Sequence, residues 1–294
     1  MHRRKIIDRL ISGWMAAGLF FVLMIPLAIG LGLVLKSLPI LKILALPELL
    51  GGSIWKPLSG QFGFKPFILS SVYVTLISFL IAGPVCLLSA IYLTQYASRR
   101  LLSLMQPVID ILAGIPSVVY GVWGVLVIVP FVIRLAELRE VAISGYCLLS
   151  GGIVLAVMSI PFILNILIEV IQAIPIELKE ASLSVGASYW ETIKWVLLRA
   201  GFSGIMAAFG LGISKALGET IAVLMVVGNV VQIPQSLFEA GYPLPALIAN
   251  NYGEMMSIPL YDSALMFGAL ILFVIIVLFN GLARLAINHG ERYR

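Results

Sequence analysis

Residues 215–220 read KALGET, inside the run AGFSGIMAAFGLGISKALGETIAVLMVVG at residues 200–228, where every other residue is apolar, small or an uncharged hydroxyl. Lys215 and Glu219 are four apart, so on one helix they share a face and can pair. A charge at the bilayer centre costs about 2.5–3.5 kcal/mol on insertion scales, so both belong in a bundle interior or a wet cavity. Two uses fit the pair. One is a salt bridge that only fixes helix packing. The other is a cation placed to meet an anion, with Glu219 holding it in between. A buried ion pair is a poor device for stability alone, which favours the second use. Gly204, Ala208, Leu211, Gly218 and Ala222 extend roughly the same face, where small residues let another helix approach.

Such a pair needs a membrane scaffold to hold it, and the composition supplies one. The chain has 294 residues, 61% hydrophobic and 11% charged, against about 25% charged in a soluble domain. Six apolar segments, at about 11–35, 67–93, 107–133, 146–170, 201–228 and 262–286, reach the roughly 20 residues a span requires. Their period is not strand-like, so the expected fold is an all-α integral membrane protein with six transmembrane helices, one domain over 1–294. The first segment follows the basic start MHRRKIIDR. It is too long for a signal-peptide core and no A-x-A site follows it, so it reads as a retained helix.

With both termini in the cytoplasm, residues 1–10, 94–106, 171–200 and the C-terminal flank carry 12 Lys and Arg, against 6 in 36–66, 134–145 and 229–261. That bias supports this orientation, and it accounts for most of the net charge of +5. No basic stripe interleaved with aromatics suggests nucleic-acid binding. Cys86 and Cys147 fall within predicted spans, and His2 and His289 lie at the termini. They form neither a metal-ligand cluster nor a disulfide framework.

Catalytic signatures are missing too. No Gly-Lys dipeptide occurs, which excludes a Walker A loop, and G-x-S-x-G and H-E-x-x-H are absent. Gly210-x-Gly212 lies within a span with no strand before it and is not a dinucleotide fingerprint. An intramembrane enzyme stays open but has no visible nucleophile–base pair, so the chain reads as a non-enzyme.

The longest predicted cytoplasmic loop, 171–200, reads IQAIPIELKEASLSVGASYWETIKWVLLRA. Pro175 suits a first helical turn. Gly186 fits the left-handed position after a helix end, and Ser188 with Glu191 forms a capping box that starts a second helix. Val185, Tyr189, Trp190 and Trp195 are too apolar for a free surface, so this helix–turn–helix reads as a partner site.

EASLSVGASYWETIKWVLL resembles the EAA loop of ATP-binding-cassette importer permeases. Glu180, Ala181 and Gly186 match in place, while Ser182, Val196 and Arg199 stand where that pattern has Ala, Ile and Pro. The resemblance implies the type I importer permease architecture and a coupling helix seated in a groove of a separate ATPase subunit, with Glu180, Ala181, Gly186, Tyr189 and Trp190 as its contact residues. ATP and magnesium would then be bound by that partner, and no cofactor by this chain.

A narrower resemblance spans about residues 55–254. GIPSVVYGVWGVLVIVP (114–130), SKALGETIAVLMVVGN (214–229), SLFEAGYPLPALIANNYGE (236–254) and WKPLSGQFGFKPF (55–67) are similar to the PstC-type permease subunit of phosphate importers. That resemblance implies translocation of inorganic phosphate across a prokaryotic cytoplasmic (inner) membrane. It also implies a PstA-type second permease, two PstB-type ATPase subunits and an extracytoplasmic PstS-type phosphate-binding protein. PstC-type subunits carry Arg, in RALGE, where Lys215 stands. Lysine is a point charge without the planar fork of arginine, and it still suits phosphate.

Three rivals remain open from sequence: a permease for sulfate or molybdate, an ion-coupled secondary transporter, and a membrane scaffold without transport. Asp110 and Glu169, near inner span ends, read as interfacial or loop contacts. Asp262 opens the last span, and Glu137, Arg139 and Glu140 read as a solvated turn. Pro116, Gly121 and Gly124 either break a helix or serve as packing residues. The conformation of 36–54 is open.

Overall fold

The computed structural model describes the backbone of residues 2–138, 140–253, 258 and 260–291, and side chains over 11–138, 140–253, 258 and 260–285. Residues 11–35 carry no charge, and a backbone crossing lipid must satisfy itself internally. Helix α1 (His2–Ile43) does so and extends past the expected span. The stretch 36–54 therefore contains the end of α1 and a short helix, α2 (Leu46–Gly51). The basic flanks 1–10 and 287–294, on which the expected orientation partly rests, lie outside the described side chains.

A two-stranded hairpin follows, β1 (Trp55–Lys56) against β2 (Gln61–Phe62), with Trp55 opposite Phe62. Trp55 meets Phe62, Phe64 and Phe67 edge-on at centroid distances of 5.4, 5.2 and 5.0 Å. With Ile40, Leu49, Leu244 and Phe267 these rings form a buried cluster that closes one end of the bundle. Beside Pro39, the amide of Ile40 donates to Ser263 Oγ at 3.1 Å, tying α1 to the last helix.

Helix α3 (Lys65–Ile91) continues as a π-helical turn, Tyr92–Tyr96. Ser98 caps α4 (Arg99–Gly114) by accepting from the Leu101 amide. The expected span 107–133 is not one helix. Ile115 and Pro116 are extended, because a proline disfavours the α conformation in the residue before it. The membrane-length rod begins only at Ser117, with α5 (Ser117–Trp123), a π-helical stretch (Gly124–Ile128) and α6 (Val129–Glu137). Pro116 thus makes the break, while Gly121 and Gly124 are packing residues. A Cβ on Gly121 would sit 2.5 Å from Met225 Sδ, and one on Gly124 2.6 Å from Val154 Cγ2. Glu137 and Glu140 are exposed, as a solvated turn requires, and Arg139 lies outside the described residues.

Helix α7 (Leu148–Gln172) is the central rod, packed on α3 and α4. After it come α8 (Ile176–Ser184), α9 (Tyr189–Glu191), a π-helical stretch (Thr192–Leu197), α10 (Leu198–Ala200), α11 (Phe202–Gly218), α12 (Ile221–Leu224), α13 (Leu244–Asn251) and α14 (Tyr261–Glu291). The expected span 201–228 is also corrected. Helix α11 stops at Gly218, and its 17 residues reach only about 25 Å, short of a hydrocarbon core of about 30 Å. The segments Tyr189–Ala200 and Phe202–Gly218 meet at 70°, so the fifth apolar passage is a bent pair. Beyond α12 the chain is apolar but irregular, and side chains of α3 satisfy its amides. Ser70 Oγ accepts from Tyr242 N at 3.1 Å and Ser71 Oγ from Leu244 N at 2.8 Å.

Candidate functional site

Helices α7 and α11 lie close together because glycines face branched side chains. A Cβ on Gly204 would come within 2.6 Å of Val170, and one on Gly212 within 2.5 Å of Ile163. Gly204 meets α7 on the helical face that also carries Lys215, and nearer the end of α11 that face opens outward. Leu211, Lys215 and Gly218 share it at helical spacing, with Leu211 and Gly218 exposed and Lys215 partly buried. The Lys215 ammonium stands over the Phe162 ring of α7, 4.4 Å from its centroid. A ring quadrupole attracts a cation without cancelling its charge.

Glu219 is not part of that arrangement. The expected i,i+4 pair requires a continuous helix, but Gly218 ends α11 and Glu219 takes an extended conformation (φ −71°, ψ 129°). Among the described residues no ion pair joins Lys215 and Glu219. Glu219 lines a small cavity with Ser71, Thr75, Leu217, Pro243 and Pro245, on the side of α11 toward α3. A second small cavity shares Thr75 and Ala216 with the first, and adds Ser78, Ser159 and Gly212. Each has room for about one water. Ser159 Oγ is buried with no hydrogen-bond partner among the described residues. The two charges thus flank the end of α11 from different directions, Lys215 toward an open face and Glu219 toward a hydroxyl-lined seam.

Phe162 escaped the sequence reading because a phenylalanine in an apolar helix carries no chemical signal. Asn165, three residues on, carried one as a lone amide in a span. Its Nδ2 donates to Asp110 Oδ1 at 2.6 Å, which makes Asp110 a bridge between α4 and α7. Among the described residues no group of three or more His, Cys, Asp or Glu side chains is arranged to hold a metal ion.

The 171–200 segment has the local structure its residues imply. Pro175 is the N-cap of α8, and Gly186 has φ +89°. Ser188 Oγ accepts from Glu191 N at 3.3 Å, and Glu191 Oε2 accepts from Ser188 N at 2.8 Å, which completes the capping box. Glu180, Ala181 and Gly186 are exposed, as are Val185 at 83% and Trp190 at 50%. Tyr189, expected among the contact residues, is partly buried and also bonds inward. Its hydroxyl donates to the Gln95 carbonyl, and it accepts from Lys179 Nζ at 2.7 Å. Its ring lies 5.2 Å from that of Tyr96. Adjacent helical residues point about 100° apart, so Trp190 faces out while Tyr189 anchors the loop to the end of α3. The 70° bend falls at Gly201 and needs no proline at position 199.

A family profile described as "Binding-protein-dependent transport system inner membrane component" matches residues 84–288. The chain is 38% identical over 239 residues to the "Probable ABC transporter permease protein YqgH" of Bacillus subtilis, covering 81% of this chain and 76% of that protein. It is 35% identical over 253 residues to the "Phosphate transport system permease protein PstC" of Xylella fastidiosa (81% and 78% covered). To a "Probable phosphate transport system permease protein PstC" of Methanocaldococcus jannaschii it is 36% identical over 250 residues (78% and 77%). Among solved structures, a chain of the inward-facing MetNI methionine ABC transporter matches with a TM-score of 0.55 at 20% identity, covering 84% of this chain and 99% of that one. At that identity the likeness speaks for the fold.

Proposed function

The chain belongs to the family of binding-protein-dependent transport system inner membrane components, and from that premise we propose that it is the permease subunit of an ATP-driven phosphate importer. The observation that carries the choice of an anion is Lys215: a cation held over a ring, with no carboxylate paired to it among the described residues, on a face that the bundle leaves open. Phosphate needs such a charge as it leaves water. Transporters commonly place this kind of site at mid-membrane depth.

In this reading the chain supplies a path and no chemistry. A second permease subunit, of the PstA type, covers the open face. Two PstB-type ATPase subunits bind ATP and magnesium and press on α8 through Glu180, Ala181, Gly186 and Trp190. A PstS-type binding protein delivers phosphate at the hairpin end. The excess of Lys and Arg on one set of flanks supports both termini lying in the cytoplasm, with the chain in the inner membrane of a prokaryote.

The test is uptake of labelled phosphate in cells carrying this chain with its partners, with sulfate and molybdate as competitors. Phosphate uptake that neither competitor reduces, and that Lys215→Gln abolishes in a complex of normal abundance, supports the proposal. Uptake blocked equally by sulfate assigns the chain to tetrahedral oxyanions in general. Normal uptake with Lys215→Gln removes this residue from the path.

A further inference from the structure

At the loop end of the bundle, a cavity of about 340 Å³ opens where the end of α3, the start of α4, the end of α7 and the start of α8 converge. That volume lies within the range of small-ligand pockets, roughly 300–1,000 Å³. Its polar wall is made by Thr94, Gln95, Arg99, Gln172 and Lys179, and among the described residues no carboxylate lines it. Glu177 and Glu180 are on α8 but are not among its lining residues. Two cations therefore face one hollow with no carboxylate among its described lining residues.

Lys179 is fixed in place before any ligand arrives. Its ammonium donates to Gln95 Oε1 at 3.0 Å and to the Tyr189 hydroxyl at 2.7 Å, both uncharged acceptors. An ammonium has three N–H groups, so one remains. Arg99, exposed at the first turn of α4, adds a guanidinium fork suited to two oxygens of one anion. A preformed charge loses less freedom on binding, which favours affinity. Ile176 and Leu197 supply an apolar wall beside the cations. The demand is for an anion with several oxygens that bridges α4 to α8.

We propose that this cavity binds a phosphate-bearing anion, free inorganic phosphate or the headgroup of an anionic lipid, and that the bound anion clamps α8 to the start of α4. The site is separate from Lys215, and the clamp acts on the helix that the proposed function assigns to the ATPase. Under the proposed topology it faces the cytoplasm, where both sources are found, so occupancy would report cytoplasmic phosphate or the surrounding lipid.

The experiment measures hydrogen exchange over residues 174–184 in the whole complex, reconstituted in nanodiscs. It is run in the Lys215→Gln background, so that no response can come from the proposed transport site. One arm adds inorganic phosphate to nanodiscs of neutral lipid, with chloride at equal ionic strength as the control. The other replaces part of the neutral lipid with phosphatidylglycerol and adds no phosphate. At ten times its dissociation constant a ligand should slow exchange about tenfold, and the arm that responds identifies the source. Arg99→Gln should abolish the slowing, as should Gln172→Glu, which sets a carboxylate in the cavity. Absence of slowing in both arms, or its persistence in either variant, overturns the proposal. The outcome is independent of whether the complex transports phosphate, which the uptake assay decides.

Discussion

The ammonium of Lys215 rests 4.4 Å from the centroid of the Phe162 ring, so the neighbour that holds it is aromatic. Such a contact contributes about 0.5–2 kcal/mol depending on desolvation. It orients the ammonium without cancelling its charge, so an anion can bind beside the ring without first breaking a salt bridge.

Phe162→Leu keeps the apolar volume and removes the quadrupole. It should raise the phosphate concentration for half-maximal uptake about fivefold, equivalent to roughly 1 kcal/mol, with chain abundance unchanged. Lys215→Arg should retain most uptake. An unchanged half-maximal concentration in Phe162→Leu would show that the ring does not position the ammonium.

Lys215 and Glu219 should behave as separate contributors. Sites that share no contact add in free energy, and these two face different surroundings. In a double-mutant cycle on initial uptake rates, the losses from Lys215→Gln and Glu219→Gln should multiply. A double variant no worse than either single one would mean that they pair in another state of the cycle.

Tyr189 and Trp190 should separate by phenotype. Trp190→Ala should leave chain abundance normal and lower co-purification of the ATPase, because its side chain is half exposed and makes no hydrogen bond or ring contact among the described residues. Tyr189→Phe removes one hydrogen bond to Gln95 and an acceptor for Lys179. It should cost about 1 kcal/mol, read as a lower thermal midpoint of the complex. Equal loss of the ATPase in both would return Tyr189 to the contact surface.

Gly186→Val should disrupt the turn. At φ +89° a β-branched residue is a severe outlier, at a cost of about 1–2 kcal/mol. Gly186→Asn, which tolerates that region, should retain most ATPase co-purification. Equal retention by both variants would show that the turn geometry does not matter for docking.

What could be read from sequence divides by the range of the forces involved. The loop around Gly186 and Ser188 was legible because a left-handed glycine and a capping box are decided by residues a few positions apart. The break at Pro116 was half legible, since a proline marks a boundary but the apolar run continues through it. The end of α11 at Gly218 was hidden for a stronger reason. Residues 219–228 are as apolar as a helix, yet they form only the short α12, and the path beyond it depends on distant partners: Gly241 N donates to Val227 O, and Ser70 and Ser71 on α3 accept from Tyr242 and Leu244. The same blindness produced the expected Lys215–Glu219 pair, because helical spacing has meaning only where the helix continues. Aromatic residues were visible as types but not as directions, so Phe162 and the inward hydrogen bonds of Tyr189 went unnoticed.

The bend at Gly201 makes α9 to α11 a crank. The loop arm is one limb, α11 is the other, and a residue without a side chain sits at the elbow. Lys215 lies about 21 Å along the second limb at 1.5 Å per residue. A turn of about 10° at the elbow therefore sweeps the ammonium through roughly 4 Å, enough to carry it beyond the ~6 Å reach of the Phe162 ring. A small push on the loop would thus be geared up into release of the charge from its aromatic rest.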